Sequence, residues 1–115
     1  MENLSIGIDI VNVDRFRKKP YSDNKQFYKK IFNHDEILYC QKYKDTYPHF
    51  AGKFAVKEAL KKTFSKHISF LDIVTSNGKN GEPLINLKKK TKNIFKVSIS
   101  HEKNIAIAVV VSIEN

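Results

Sequence analysis

The chain of 115 residues carries 21 lysines and arginines against 12 aspartates and glutamates, for a formal net charge of +9. Its length favours a single domain over residues 1–115, and 41% hydrophobic residues are enough to build a core. No apolar run reaches membrane-spanning length, and a single cysteine excludes an internal disulfide. Because the first apolar segment begins at Leu4, we expect no signal peptide and a soluble, cytoplasmic protein.

The positive charge is concentrated in two segments. Residues 15–30 contain seven lysines and arginines and one aspartate, a net charge of +6, and a second basic segment covers 88–103. Such segments attract nucleic acid, anionic lipid or an acidic protein, but they are also common as solvated surface. Charge alone therefore does not choose a partner.

The predicted elements follow one another as a strand, four helices and four strands. Apolar spacing predicts the first strand over 3–12 and the helices over 13–18, 24–32, 34–43 and 48–64. Later strands are predicted over 70–76, 84–88, 95–101 and 104–113, with turn formers at 77–83 making the first pair a hairpin. This order predicts an α+β fold in which a mostly antiparallel sheet packs against the long helix.

Asp9 breaks the pattern of the first strand. It stands between Ile8 and Ile10, although aspartate is disfavoured inside strands. Gly7, on the same face two residues earlier, lets another backbone or a ligand come close. A lone strand aspartate is more often an edge residue than a ligand, so the position alone leaves both interpretations open.

The long helix carries charged residues in unexpected places. Lys57 and Lys61 fall within its apolar arc, where a simple surface helix has no charge. Glu58 and Lys62 are four residues apart and point the same way, on the side that carries alanines. They are either an ordinary surface ion pair or a carboxylate and an ammonium suited to a metal-bound phosphate. His101, at the end of a later strand, by itself indicates only a turn.

Four segments together resemble the holo-acyl-carrier-protein synthases, which are small 4′-phosphopantetheinyl transferases. Each motif alone is weak, but four in register over the whole chain are specific. They are Gly7–Val11 followed by Arg15 and Phe16, Phe54–Ala59 with Lys62, Asn80–Pro83, and Ser98–His101 followed by Ala106 and Ala108. The resemblance implies an enzyme of fatty acid biosynthesis that transfers 4′-phosphopantetheine from coenzyme A to a serine of an acyl carrier protein, releasing 3′,5′-ADP.

The resemblance also implies roles by position. Asp9 and Glu58 would hold Mg²⁺, or Mn²⁺, together with the pyrophosphate of coenzyme A, in keeping with the preference of a hard ion for carboxylate and phosphate oxygens. Lys62, helped by His101, would neutralise the pyrophosphate. Asp9, Glu58 and Lys62 would form the catalytic group, and Glu58, or a water that it orients, would accept the serine proton.

Further positions are assigned in the same way. Gly81 and Pro83 would shape the wall for the adenosine end of coenzyme A, and Arg15 would meet the acidic helix of the carrier protein. Lys53 stands where the family usually has arginine, which keeps a charge for cofactor binding but loses a bidentate phosphate contact. The loop 63–67 lacks the glycine that the family usually has there.

The resemblance further implies a homotrimer with active sites at the subunit interfaces. The last predicted strand, with β-branched residues on one face and small residues on the other, offers two faces that a short chain does not easily cover alone. We expect each site to combine residues of two chains. One chain would supply Asp9, Glu58 and Lys62, and its neighbour would supply His101, Gly81 and Pro83.

Two other functions are compatible with parts of the sequence. A small nucleic-acid-binding domain would explain the charge, but the aromatic residues have core-like spacing and no nucleic-acid motif is present. A catalytically inactive protein that only binds the carrier would not need Asp9, Glu58 and Lys62. We therefore expect coenzyme A, acyl carrier protein and further copies of the chain as partners, without nucleic acid or membrane.

Overall fold

A computed structural model describes residues 3–114, and its elements confirm the predicted α+β class. None of the helices in this part of the chain is long and apolar enough to cross a bilayer. Residues 70–72 form a 3-10 turn, so the strand predicted over 70–76 begins too early. The elements are β1 (Leu4–Asn12), α1 (Asp14–Arg17), α2 (Lys25–Lys29), α3 (His34–Gln41), α4 (Tyr47–Lys61), β2 (Ile73–Asn77), β3 (Pro83–Leu87), β4 (Asn93–Glu102) and β5 (Ile105–Glu114).

The strands form two antiparallel sheets. The larger has the order β1-β5-β4, with Asp9 opposite Ala108 and Ala108 opposite Ile99. The smaller is the predicted hairpin of β2 and β3. Its turn needs Gly81, whose φ of +83° lies in the left-handed region that side chains other than glycine rarely adopt.

Helix α4 packs on the inner face of the larger sheet, the face that carries Gly7, Asp9 and Val11. The helix begins with a proline in its first turn, as expected, and ends at Lys61 rather than near residue 64. A Cβ added to Gly7 would lie 1.8 Å from the carbonyl oxygen of Ala59, so the strand and the helix touch backbone to backbone there. This contact brings the C-terminal half of α4 directly to the neighbourhood of Asp9.

An aromatic cluster attaches the short helices to α4. Phe16, Tyr28, Phe32 and Phe50 are almost fully buried and pack against one another, with ring centroids 4.7–6.2 Å apart. The Tyr28 hydroxyl donates its single proton to the Lys19 carbonyl, two residues after α1, at 2.7 Å, and the Phe16 carbonyl lies 3.1 Å from the same oxygen. Because aromatic side chains bury large apolar areas, this cluster holds α1 and α2 firmly on the long helix.

On β1 and β5 the outer face of the larger sheet is apolar, and no other described element packs on it, whereas β4 contributes Lys96, Ser98 and Ser100 to this face. Ile6, Ile8 and Ile10 of β1 are 57–64% exposed, and the facing side chains Ile107 and Val109 of β5 are half-buried. A contiguous exposed apolar patch of this kind is typical of an interaction surface. The alternation predicted for β1 is therefore correct, but its isoleucine face does not pack on the core of the chain.

Candidate active site

Asp9 and Lys62 form an ion pair between β1 and the C-terminal end of α4. Lys62 Nζ donates to the Ile8 carbonyl at 2.7 Å and to Asp9 Oδ1 at 3.3 Å. The side chain of Asp9 is 17% exposed and that of Lys62 is 52% exposed, so the pair is open to solvent. Lys62 thus reaches across the gap from the helix to the strand, where two sequence-predicted site residues meet.

Glu58 lies next to this pair. It is half-buried, four residues before Lys62, and the Lys62 N–H donates to the Glu58 carbonyl at 3.3 Å. Residues at this spacing project from the same helix face, so the Glu58 side chain points to the side of α4 from which Lys62 reaches Asp9; among the described residues, the ion pair of Lys62 is with Asp9 and not with Glu58. Within residues 3–114 the Glu58 carboxylate has no hydrogen-bond partner of its own. The structure therefore pairs Asp9 with Lys62 and places Glu58 on the same side of α4.

The donor set of this cluster fits a hard divalent cation. Asp9 and Glu58 offer only carboxylate oxygens, which a hard cation prefers over the nitrogen and sulfur ligands that are typical of zinc. Two carboxylates are what Mg²⁺ commonly takes from a protein when phosphate oxygens and water complete its coordination. The pairing of Asp9 with Lys62 also leaves one carboxylate oxygen, Oδ2, outside the ion pair.

A second group of predicted residues surrounds a pocket between α4, β4 and the β2–β3 hairpin. Lys53, Gly81, Pro83 and His101 all line it, and none of the Asp9, Glu58 and Lys62 group does. Gly52 of α4 makes room for the His101 ring, whose atoms lie 3.2 Å from the position of a Cβ at residue 52. The pocket therefore depends on a small residue at the helix surface.

A hydrogen bond to the main chain orients His101. Its Nε2 lies 2.9 Å from the Pro48 carbonyl, and because a carbonyl only accepts, Nε2 carries the proton. Nδ1 is then the ring nitrogen available to a ligand. His49 lies close by, and burial together with the His101 charge lowers the pKa of His49. A positive charge on His49 is therefore disfavoured at this place in the pocket wall.

Lys53 is buried beneath the pocket, which the sequence did not predict. Its Nζ donates to Thr75 Oγ1 at 3.2 Å and lies 4.5 Å from the centre of the Tyr39 ring. Burial lowers the pKa of Lys53, against the opposing effect of Cys40 and Glu36. A lysine held over an aromatic ring keeps a compact charge at the pocket wall, without the fork of an arginine.

The buried ion pair Lys57–Glu36 is the feature that sequence reasoning missed. Lys57 Nζ donates to Glu36 Oε1 at 2.7 Å and to the carbonyls of Ile31 and Phe70 at 2.8 Å and 3.0 Å, so all three ammonium protons are used. Burial opposes ionisation of Glu36, but the Lys57 charge and the Thr75 donors outweigh it, and the pKa of Glu36 is lowered. The available signals were Lys57 in the apolar arc and the helix start at Asn33, whose N–H donates to Glu36.

Arg15 lies on α1, outside both groups. It is exposed, and its guanidinium lies 4.8 Å from the centre of the Phe54 ring. Stacking on a buried aromatic ring fixes the direction of the side chain and leaves its charge in solvent. Arg15 is thus available to a partner.

The group of Asp9, Glu58 and Lys62 and the group around the pocket contact α4 at two separate points. Ala59 contacts Gly7 beside Asp9, and Gly52 contacts His101. Seven helical residues separate these contacts, which is roughly 10 Å along the helix axis. On the sheet, β5 separates the strands of Asp9 and His101, which is again about 10 Å between β1 and β4.

Comparison with known proteins identifies the family of the chain. The family model described as "4′-phosphopantetheinyl transferase superfamily" matches residues 5–110. The holo-[acyl-carrier-protein] synthase of Thermodesulfovibrio yellowstonii is 39% identical over 108 residues, covering 92% of this chain and 95% of that protein. The Helicobacter pylori synthase is 39% identical over 115 residues, covering 92% and 94%.

Solved structures give the same result. The crystal structure of a holo-(acyl-carrier-protein) synthase from Bacillus anthracis, in complex with CoA (3′,5′-ADP), matches with a TM-score of 0.84 and 32% identity over 96% of each chain. The Helicobacter pylori synthase in complex with coenzyme A has a TM-score of 0.79 and 36% identity, covering 93% of this chain and 98% of that one. The chain therefore belongs to the holo-acyl-carrier-protein synthases, enzymes of the 4′-phosphopantetheinyl transferase superfamily.

Proposed function

We propose that this enzyme transfers 4′-phosphopantetheine from coenzyme A to a serine of an acyl carrier protein, with release of 3′,5′-ADP, and that the modified carrier is used in fatty acid biosynthesis. The observation that carries the proposal is the ion pair of Asp9 with Lys62, with Glu58 four residues before Lys62 on the same side of α4. Two carboxylates and a cation at a solvent-open site suit the binding of a metal-complexed pyrophosphate. The complexes of the relatives with coenzyme A support the choice of donor substrate.

In the proposed reaction the serine hydroxyl attacks the β-phosphorus, and the bond from that phosphorus to the departing 3′,5′-ADP breaks. Lys62 would offset the negative charge that develops on the phosphoryl oxygens, and Asp9 would hold Lys62 in place through the observed ion pair. Glu58 is the proposed acceptor of the serine proton, directly or through a water. Alignment of the two substrates would supply much of the remaining acceleration.

Asp9 and Glu58 are also the proposed ligands of Mg²⁺, or of Mn²⁺. The ion would supply charge neutralisation at the pyrophosphate. Lys53, Gly81, Pro83 and His101 would receive the adenosine and phosphate end of coenzyme A, since they line one pocket with two cationic or cationisable side chains.

The direct test is transfer itself. The protein is incubated with coenzyme A, Mg²⁺ and an apo-acyl carrier protein, and mass spectrometry follows the mass added to the carrier. We expect complete modification by the wild type, loss after exhaustive chelation, and recovery on adding Mg²⁺ or Mn²⁺. An unmodified carrier in the presence of folded enzyme would refute the proposed function, and transfer that survives chelation would refute the metal requirement.

Glu58→Gln tests the carboxylate, because it keeps the shape and removes the charge. Glu114→Gln is the matched control, since Glu114 is exposed at the far end of β5. We expect at least about a hundredfold loss of turnover for Glu58→Gln, as for the removal of an acid–base group, and none for the control. Near wild-type turnover of Glu58→Gln would mean that this carboxylate is only a surface group.

We further propose that a single domain covers residues 1–115 and that three copies form a ring. The uncovered isoleucine face of β1 supports self-association, because exposed apolar area of this extent favours burial. Each active site would combine the Asp9 group of one chain with the His101 group of its neighbour. Arg15 and the basic segment 15–30 would dock the acidic carrier. We propose the cytoplasm as the location of the protein, because its single cysteine is buried and free.

Mixing two inactive variants tests this shared site. Asp9→Asn and His101→Ala are each expected to be poorly active as pure trimers. In mixed trimers assembled from equal amounts, roughly a quarter of the interfaces would combine two intact halves, so activity should return to about that fraction of wild type. Verified mixed assemblies that stay as inactive as their parents would refute the shared site.

A further inference from the structure

A continuous chain of buried polar groups leads from the ion pair Lys57–Glu36 to the pocket. Thr75, on β2, lies between the two ends of this chain. Its N–H donates to Glu36 Oε2 at 2.7 Å, and its hydroxyl lies 2.5 Å from the same carboxylate oxygen. The same hydroxyl oxygen lies 3.2 Å from Lys53 Nζ. Thr75, Glu36 and Lys53 are each at most 7% exposed.

The chemistry of the groups fixes the direction of these hydrogen bonds. A carboxylate can only accept, and an ammonium can only donate. The hydroxyl proton of Thr75 therefore points to Glu36, and its lone pair accepts from Lys53. The short contact to Glu36 polarises the hydroxyl and makes its oxygen a better acceptor for Lys53.

The charges of the residues in this hydrogen-bonded series leave one positive charge for the pocket. Lys57 compensates the charge of Glu36 through direct contact at 2.7 Å, so the Lys53 ammonium is not neutralised by a carboxylate of its own. Within residues 3–114, its only hydrogen bond is the one to Thr75, which engages one of its three protons. Two protons are left to meet an anionic ligand in the pocket that Lys53 and Thr75 both line.

We propose that Thr75 is a positioning residue for substrate binding: its hydroxyl, held by Glu36, fixes the Lys53 ammonium at the pocket wall in the orientation that receives a phosphate of coenzyme A. The assignment rests on the proposed function, because it takes the pocket as the coenzyme A site. A lysine side chain has many rotamers, and immobilising it before the ligand arrives removes part of the entropic cost of binding.

Thr75→Val is the principal test, because valine keeps the branched shape and β-propensity and removes the hydroxyl. We expect KM for coenzyme A to rise about tenfold, with kcat close to wild type, since the contact that is lost acts on binding. Thr75→Ser, which keeps the hydroxyl, should stay within about twofold of wild type. Ser112→Ala is the control, because it removes another buried hydroxyl, on β5, with no contact to Lys53.

Isothermal titration calorimetry with coenzyme A compares the dissociation constants of the same variants without catalysis. If Thr75→Val is poorly folded, Thr75→Ala takes its place, compared at equal folded fraction by circular dichroism. A purely structural role would lower the active fraction and leave KM and the dissociation constant unchanged, and that result would overturn the proposal.

The decisive measurement is a double-mutant cycle with Lys53→Met. If Thr75 acts through Lys53, Thr75→Val should raise KM no further in the Lys53→Met background. An equal increase in both backgrounds would overturn the proposal. Failure of the wild type itself to bind coenzyme A would refute the proposed function together with this inference, whereas an unchanged KM of Thr75→Val in an active enzyme would refute the inference alone.

Discussion

Replacement of Lys57 by methionine tests whether the buried ion pair stabilises the fold. Methionine keeps the length and the apolar stem of lysine but removes the ammonium. Glu36, which is 2% exposed, then loses its counter-charge, and the carbonyls of Ile31 and Phe70 lose their donor. An unpaired charge in a buried site is far more costly than the pair itself is stabilising.

The expected loss is about 3–5 kcal/mol of unfolding free energy, the range for breaking one side of a buried pair. That is a large part of the roughly 5–15 kcal/mol that holds a typical domain together. Adding Glu36→Gln to Lys57→Met should recover part of the loss. The glutamine carbonyl can take the place of Oε2 and accept from the Thr75 N–H, and no buried charge is left. The Asn33 N–H, which donates to Oε1 in the wild type, then loses its acceptor, so the recovery is only partial.

Urea unfolding followed by far-ultraviolet circular dichroism at pH 7 and fixed protein concentration measures these differences. Lys61→Met is the matched control: Lys61 lies one turn further along α4, over the Phe70 ring, with no carboxylate partner among the described residues. We expect the control to cost less than about 1 kcal/mol. A loss of less than about 1 kcal/mol for Lys57→Met, or no recovery in the double variant, would refute this account.

The same ion pair makes stability depend on pH. The pKa of Glu36 is lowered in the folded protein, so its contribution to stability is complete above the unfolded value of about 4.3 and is lost as the pH falls through the folded value. In Lys57→Met, burial without the lysine would instead raise this pKa. The variant should therefore come closer to wild type in stability as the pH is lowered from 7 towards 4.5, and a constant difference would contradict the assignment.

Three further predictions follow from single contacts. Gly7→Ala should lower the free energy of unfolding in urea by about 3 kcal/mol or more, because its Cβ would meet the α4 backbone. Gly81→Ala has open space around its Cβ and should lose only about 1–2 kcal/mol, because of its left-handed φ. Equal losses in the two variants would refute this distinction. Arg15→Glu should raise KM for the carrier roughly tenfold at low salt and less at high salt, with KM for coenzyme A unchanged, and an unaltered carrier KM would remove Arg15 from the docking surface. Burial raises the pKa of the Cys40 thiol to about 12, so it should react with a thiol reagent at pH 8 only as fast as the protein unfolds, and rapid labelling of the native state would disprove its burial.

The order and type of the elements follow from the sequence alone. Apolar alternation and turn formers are local properties, and they predict β1 and the last hairpin nearly in full, whereas α4 ends earlier and β2 begins later than predicted. The misfits were local too. Asp9 departed from the alternation of a strand, which repeats every two residues, and Lys57 departed from the apolar arc of a helix, which repeats about every four residues. The family resemblance then named the residues of both groups, in chain order.

The partners of those residues were decided by the tertiary structure. Lys57 meets Glu36 across 21 residues, and Thr75 meets Glu36 across 39, because α3, α4 and β2 converge. Periodicity states the direction in which a side chain points and not which element lies opposite, so neither contact was predictable. The backbone contact of Gly7 with Ala59 likewise places Asp9 at Lys62, and β5, inserted between β1 and β4, separates Asp9 from His101.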